Sequence, residues 1–322
     1  MISNASLEKI GTLLSAAQSI IIFPHLNVDG DALGSSSALC RALRNMGKEA
    51  WILLEEDVPN YISFIDTEFC TQDHNCVQDP DVCICVDCSE ESRFPQRVEK
   101  YNSGKVKLCV DHHATSGEFG DYYYIDGDEA ATAQLIYKLL VAMNVEITSD
   151  MARSLYTGIN TDTGSFRYSN ANPQTHMITA ELLKTGFDHV EVNVALYQNV
   201  SLKKIKLENK ILDKMEVFAD GKGVISYVTD EMVADAGADM EDAEGAIDTM
   251  RNIEGVEIAA FIKDRGEAVK VSMRAKSYGR VDGIAQKYNG GGHAKAAGCT
   301  LKMSVAEAKE IIKKEIATYL EN

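Results

Sequence analysis

The chain has 322 residues, 45% of them hydrophobic and 25% charged, an ordinary globular composition with length enough for two domains. Its 32 basic and 49 acidic residues leave a net charge of −17, which argues against a general binder of long nucleic acid, since such a binder needs a basic stripe to displace counterions. No run of about 18 apolar residues could span a bilayer, and "MISNASLEKIGTLLSAAQSIIIF" lacks a basic n-region and carries Glu8. The expectation is therefore a cytoplasmic protein with neither a membrane span nor a signal peptide.

In chain order, "SIIIF" (19–23) reads as a buried strand. "DALGSSSALCRALRNMGK" (31–48) follows as a helix, with Leu39, Ala42, Leu43 and Met46 at helical spacing and Gly47 as its C-cap. "AWILL" (50–54), "VCICV" (82–86) and "KVKLCV" (105–110) read as further buried strands. Continuous apolar strands alternating with helices predict an α/β fold, a parallel sheet covered by helices on both faces. "EAATAQLIYKLLVAMN" (129–144), "SDMARSLYTGIN" (149–160) and "NPQTHMITAELLKTG" (172–186) are helical patterns, the last with Asn172 as N-cap and Pro173 at the first turn.

Residues 187–214 are charged and helix-compatible, and read as a helical linker between a domain over 1–186 and a smaller α+β domain over 215–322. In the second domain, 214–230 predicts a hairpin turning at 220–223, and 256–277 a second hairpin turning near 264–266. Helical stretches flank them at about 231–252 and 304–320.

Eight cysteines in a chain this long are expected to be buried free thiols, with Cys83, Cys85 and Cys109 inside apolar strands. "CVDC" (85–88) has zinc-like spacing, but "CTQDHNC" (70–76) is a poor second half for such a site.

Four acidic clusters fall at comparable places: "FPHLNVDGDALGS" (23–35), "CVDCS" (85–89), "VDHHATS" (110–116) and "NTDTGSF" (160–166). In an open parallel sheet the carboxyl ends of the strands share one edge, where ligands bind. His25, Asp29, Asp31, Asp87, Asp111, His112 and His113 are thus expected in one cleft. Taken singly, Asp31 reads as a helix cap. Taken together, so many carboxylates require a counter-charge, which divalent cations supply. Mixed imidazole and carboxylate donors suit Mn²⁺, Fe²⁺ or Zn²⁺ better than Mg²⁺, and paired metals bridged by a carboxylate serve phosphoester hydrolysis. Adjacent histidines leaving a strand point to opposite sides, so one is expected toward metal and the other toward substrate.

These motifs, in this order, resemble those of the DHH phosphoesterase superfamily, and "SMRAKS" (272–277) with "NGGGHAKAAG" (289–298) resembles the associated DHHA1 domain. The resemblance covers nearly the whole chain and is nearest to the group combining oligoribonuclease (nanoRNase) and pAp phosphatase activities. It implies two Mn²⁺ ions per site, with Mg²⁺, Co²⁺ or Fe²⁺ as substitutes. By resemblance, His25, Asp29 and Asp87 hold one ion, and Asp31, Asp87, His112 and Asp162 the other, with Asp87 bridging. His113 would face the scissile phosphate and Asp111 would orient the histidines. Val28 departs from the family pattern, which commonly has proline before the first aspartate. Proline ligates nothing there, so the expected donor set is complete.

In the second domain, the backbone of Gly290, Gly291 and Gly292 can approach an anion, His293 can donate to a phosphate, and Arg274 can grip one bidentately, with Lys276 two residues on. Phe166, Arg167 and Tyr168 follow the last ligand, where they could stack or hold a base, although packing accounts for Phe166 equally well. The implied substrates are short oligoribonucleotides, pAp, and linear or cyclic dinucleotides, held at a fixed distance between the two domains. The implied assembly is a homodimer. The first domain alone also resembles family II inorganic pyrophosphatases, and a sensor that keeps the fold without turnover is the non-enzymatic reading.

Overall fold

The computed structural model describes residues 2–113 and 117–321, the side chain of His293 excepted. Thr115 and Ser116 of the "VDHHATS" stretch, and any role of the His293 imidazole, lie outside the described residues. The chain divides into two compact units, 1–199 and 200–322.

In the first unit the strands are β1 (Ile2–Ser3), β2 (Ser19–Phe23), β3 (Glu49–Leu53), β4 (Cys70–Thr71), β5 (Val82–Val86), β6 (Val106–Asp111) and β7 (Tyr122–Ile125). The helices are α1 (Leu7–Ala16), α2 (Gly30–Asn45), α3 (Val98–Asn102), α4 (Thr132–Ala142), α5 (Ser149–Asp162), α6 (Pro173–Leu183) and α7 (His189–Tyr197). The sheet order is β1-β7-β6-β5-β2-β3-β4. All neighbours are parallel except β1, which runs antiparallel to β7.

The expected central strands fall on β2, β3, β5 and β6, each apolar on both sides because both sheet faces are covered. Ile20, Ile22, Ile84, Val86, Leu108 and Val110 face the large core formed with α1, α2, α4 and α5. Ile21, Phe23, Cys83, Cys85 and Cys109 face the opposite way, against Phe94 and Tyr101. That second face carries only the five-residue α3 plus irregular chain, so the helical cover is unequal.

Helix α5 packs across α2 and α4. The crossing is close because Gly34 and Gly158 meet there: a Cβ on Gly34 would collide with the Ser154 carbonyl oxygen, and one on Gly158 would lie 2.7 Å from Asp31 Oδ1. All eight cysteines are free thiols, and Cys83, Cys85, Cys88 and Cys109 are buried.

The second unit contains α8 (Leu202–Asp213), β8 (Glu216–Phe218), β9 (Gly223–Val228), α9 (Asp230–Ala236), α10 (Ala246–Arg251), β10 (Ile258–Asp264), β11 (Val269–Ala275), α11 (Asp282–Gln286), β12 (Gly291–His293), β13 (Ala296–Leu301) and α12 (Val305–Glu321). Its sheet runs β12-β13-β11-β10-β9-β8. Both predicted hairpins, β8–β9 and β10–β11, are present and antiparallel. They join through a parallel β9–β10 pair, which requires the crossover supplied by α9 and α10. The helical stretch expected at 231–252 is broken, with Gly237 and Gly245 in left-handed conformation between its pieces. Residues 187–214 are divided, α7 lying in the first unit and α8 in the second. Among the described residues, no helix is long and apolar enough to cross a membrane.

Candidate metal centre

The turn from β2 into α2 delivers three of the expected donors. His25 follows the strand and is 5% exposed. Its Nδ1 donates to the Leu26 carbonyl at 2.7 Å, so Nε2 is the nitrogen turned to the acids. Asp29, rather than Asp31, is the N-cap of α2, its Oδ1 accepting from the amides of Asp31 and Ala32 at 3.0 Å each. Asp31 sits one position into the helix, fully buried, and accepts from the amides of Thr132 at 2.6 Å and Ala133 at 2.9 Å. The cap reading of Asp31 is thus corrected. It caps α4, whose own N-cap residue, Ala131, has no side chain able to do so.

Asp87 leaves β5 with φ of 60°, a left-handed conformation costing an aspartate about 1–2 kcal/mol. That turn is held by the Asp87 amide donating to the Val110 carbonyl at 3.0 Å. Its effect is to place the carboxylate between two groups of donors. Oδ2 lies 3.6 Å from His25 Nε2, and Oδ1 lies 3.7 Å from His112 Nε2. His25 and Asp29 gather on the first side, with His25 Nε2 3.6 Å from Asp29 Oδ2. His112, Asp31 and Asp162 gather on the second, with His112 Nε2 3.2 Å from Asp162 Oδ2 and 3.9 Å from Asp31 Oδ2. His112 Nδ1 donates to the Glu129 carbonyl at 3.2 Å, again leaving Nε2 to the acids.

The histidine pair does not split to opposite sides. β6 ends at Asp111, so the pleat no longer governs the next two residues, and the His112 and His113 rings lie 4.6 Å apart. His113 Nδ1 donates to Asp111 Oδ1 at 2.7 Å and lies 3.6 Å from Asp87 Oδ1. Asp111 also accepts the His113 amide, so one buried carboxylate fixes both the backbone and the ring of that residue.

The electrostatics of this cluster call for positive charge. Burial, then the charges of Asp87 and Asp162, hold Asp31 well above the usual carboxylate range. Burial opposed by His112 and reinforced by Asp29 and Asp162 raises Asp87 to about 6. Burial would lower His25, but its hydrogen bond to Asp29 and the charges of Asp29 and Asp87 outweigh that and raise it to about 9. Buried carboxylates held up in this way favour positive charge beside them, which divalent cations supply in such donor sets. The groups His25–Asp29–Asp87, Asp31–His112–Asp162 and Asp87–His112–His113 each present ligand atoms within 4.8 Å of one another. The donor set, imidazole plus carboxylate with no thiolate, fits a pair of divalent transition ions.

Other expected residues stand differently. Arg167 Nε donates to the Gly164 carbonyl at 2.6 Å, and Phe166 packs 5.4 Å from the His176 ring and 6.2 Å from Tyr156. Phe166 is therefore in packing contact, while Tyr168 is 44% exposed. In the second unit Arg274 lies on the half-exposed face of β11, and Lys276, just past that strand, donates Nζ to the Ile253 carbonyl at 2.7 Å. The Gly290 amide is not an open anion donor, since it donates to the Ala285 carbonyl at 2.9 Å. Gly290 and Gly292 are small because β13 approaches them too closely for a Cβ, whereas Gly291 faces open space. Sequence reasoning missed Thr132, whose hydroxyl donates to Asp87 Oδ1 at 2.7 Å. The available signal was Thr132 itself, the hydroxyl residue in "EAATAQ", close to the start of a strong helical pattern.

Two family models match, the DHH family N-terminal domain over residues 19–159 and the DHHA1 domain over 220–322. The "Bifunctional oligoribonuclease and PAP phosphatase NrnA" of Thermus thermophilus is 35% identical over 88% of this chain and 84% of its own length. The chain belongs to the DHH family. The Bacillus subtilis protein of the same name is 26% identical over 89% of this chain and 91% of its own. Among solved structures, an exopolyphosphatase-related protein from Bacteroides fragilis superposes with a TM-score of 0.92 at 24% identity, covering 98% of this chain and 97% of the other. That likeness concerns the fold, a DHH unit followed by a DHHA1 unit.

Proposed function

We propose that this DHH-family chain is a hydrolase of phosphoester bonds in small nucleotides, using two Mn²⁺ ions to cleave short oligoribonucleotides and pAp. The observation that carries the reading is Asp87, whose two oxygens face two separate donor groups. The names of the Thermus thermophilus and Bacillus subtilis relatives support the substrate class.

His25, Asp29 and Asp87 would hold one ion, and Asp31, Asp87, His112 and Asp162 the other. When bound, the ions activate water and neutralise charge developing on phosphorus oxygens. The chain's own part is to keep donors in place and receive the phosphate. Backbone carbonyls fix the ring orientation of His25 and His112. Asp111 holds His113 by Nδ1, leaving Nε2 to donate a proton to a phosphate oxygen in the transition state. In this reading the second unit binds nucleotide, with Arg274 and Gly291 as its anion contacts, and Arg167 is separately an anion contact of the first unit.

The test is Mn²⁺-supported hydrolysis of pAp, a ribo-trinucleotide, cyclic di-AMP and pyrophosphate, with His113→Ala in parallel. AMP released from pAp, or nucleotides from the trimer, and loss of both in the variant are expected. Turnover of pyrophosphate alone would make the protein a pyrophosphatase. Tight nucleotide binding without turnover would make it a sensor.

A further inference from the structure

The start of α4 touches both halves of the acidic cluster through one residue. The Thr132 amide donates to Asp31 Oδ2 at 2.6 Å, and its hydroxyl donates to Asp87 Oδ1 at 2.7 Å. The neighbouring Ala133 amide takes the other Asp31 oxygen at 2.9 Å. Thr132 is fully buried, and Ala131 before it offers α4 no cap. Asp31 and Asp87 arrive on different elements, α2 and the end of β5. This helix start gives their carboxylates a common hydrogen-bonding reference.

Asp87 Oδ1 is the oxygen turned to the His112 side, while Oδ2 is turned to His25. A donor on Oδ1 therefore sets the rotation of the carboxylate about its Cβ–Cγ bond, which decides whether the two oxygens can serve two ions at once. A carboxylate that ligates metal is characteristically oriented by such a partner, and loss of the partner weakens metal affinity. The hydroxyl hydrogen must point at Asp87, because the carboxylate can only accept.

We propose that Thr132 is the positioning residue of the metal centre, its hydroxyl setting the bridging orientation of Asp87 while its amide holds Asp31. The inference rests on reading the cluster as a cation-binding phosphoesterase site. Thr132 touches no substrate in this scheme. It acts through two carboxylates, and its methyl is incidental to the role.

The experiment titrates Mn²⁺ into chelator-stripped parent, Thr132→Val, Thr132→Ser and Thr132→Ala proteins. Electron paramagnetic resonance reads free and bound Mn²⁺, and thermal unfolding of the stripped proteins is followed alongside. The expected result is Mn²⁺ affinity weakened about 10–100-fold in Thr132→Val. The spin-coupled signal of a bridged pair should be lost in that variant and restored in Thr132→Ser. Parent-like binding with a parent-like spectrum in Thr132→Val overturns the proposal, as does failure of Thr132→Ser to recover either. Should Thr132→Val not fold, Thr132→Ala against Thr132→Ser decides on the same readings. If the parent binds a coupled Mn²⁺ pair yet cleaves no phosphoester, the proposed function falls and the positioning role stands. If the parent binds no Mn²⁺, the positioning role falls with it.

Discussion

Gly158→Ala tests the geometry that brings α2, α4 and α5 together. A Cβ built on Gly158 lies 2.7 Å from Asp31 Oδ1 and 2.8 Å from Ala133 Cβ, where real Cβ contacts begin to be tolerated only at 3.0–3.4 Å. Asp31 cannot swing aside without giving up the amides of Thr132 and Ala133, and Ala133 is fixed in α4. Helix α5 must therefore retreat by about 0.3–0.7 Å, the difference between those distances. Alanine contributes about 0.5–1 kcal/mol of helix preference over glycine, whereas overpacking a dense interior costs about 1–3 kcal/mol. The balance is a loss of about 1 kcal/mol. Asp162, one turn further along α5, is carried with the retreat, and metal–ligand distances tolerate only about 0.2 Å. Mn²⁺ affinity should fall about 10-fold or more.

The assay is thermal unfolding with and without Mn²⁺. Gly283→Ala serves as the control, a helical glycine of the second unit with open space around its Cβ position. The control should gain about 0.4–1 kcal/mol and keep the full Mn²⁺ response. Parent-like stability and a parent-like Mn²⁺ response in Gly158→Ala would refute the close contact and the argument built on it.

Two further outcomes are expected. Mn²⁺ at about 100 times its dissociation constant should stabilise the first unit by about 2.7 kcal/mol, and Asp87→Asn, which weakens both donor groups at once, should abolish most of that rise on calorimetric scans. In the second unit, Glu257 is buried and accepts from the Ser277 amide and hydroxyl and the Gly279 amide at 2.8, 2.7 and 2.6 Å. Burial alone would raise its pKa, but those hydrogen bonds prevail and lower it from the ordinary 4.5. A lowered folded-state pKa means that the stabilisation is whole above 4.5 and is lost as pH falls through the folded value. Acid titration of the second unit's unfolding should show that loss, and Glu257→Gln should flatten it. An unchanged acid limb would exclude the carboxylate as its source.

How much of this was legible in the sequence depended on whether the signal was local. β2 and β5 fall on the runs read from apolar continuity alone, and β6 extends one residue further to take in Asp111. The strand ends before the histidines, so the pleat sets neither ring, and hydrogen bonds to the Glu129 carbonyl and to Asp111 orient His112 and His113 instead. Asp31 could not be assigned its partner from nearby sequence, because the amides it caps lie 101 and 102 positions away. The parallel β9–β10 pair was hidden for the same reason, since each hairpin is locally complete. The glycines at 290 and 292 illustrate a different limit. Composition marks them as needing no side chain, but only the approach of β13 shows that packing, rather than an anion, makes the demand on them.

Both sheets end on very short strands. β1 and β4 have two residues each, and β8 and β12 have three. An unpaired edge of that length offers one or two hydrogen bonds to an incoming strand, too few to offset the entropy of ordering it. The long apolar strands that would template aggregation, β2, β5 and β10, are all flanked on both sides. The short outer strands thus blunt the rims without covering them, since β4 pairs only Ile52 and Leu53 of β3, and β8 only Gly223, Val224 and Ile225 of β9, leaving the rest of those strands with an edge that no outer strand pairs.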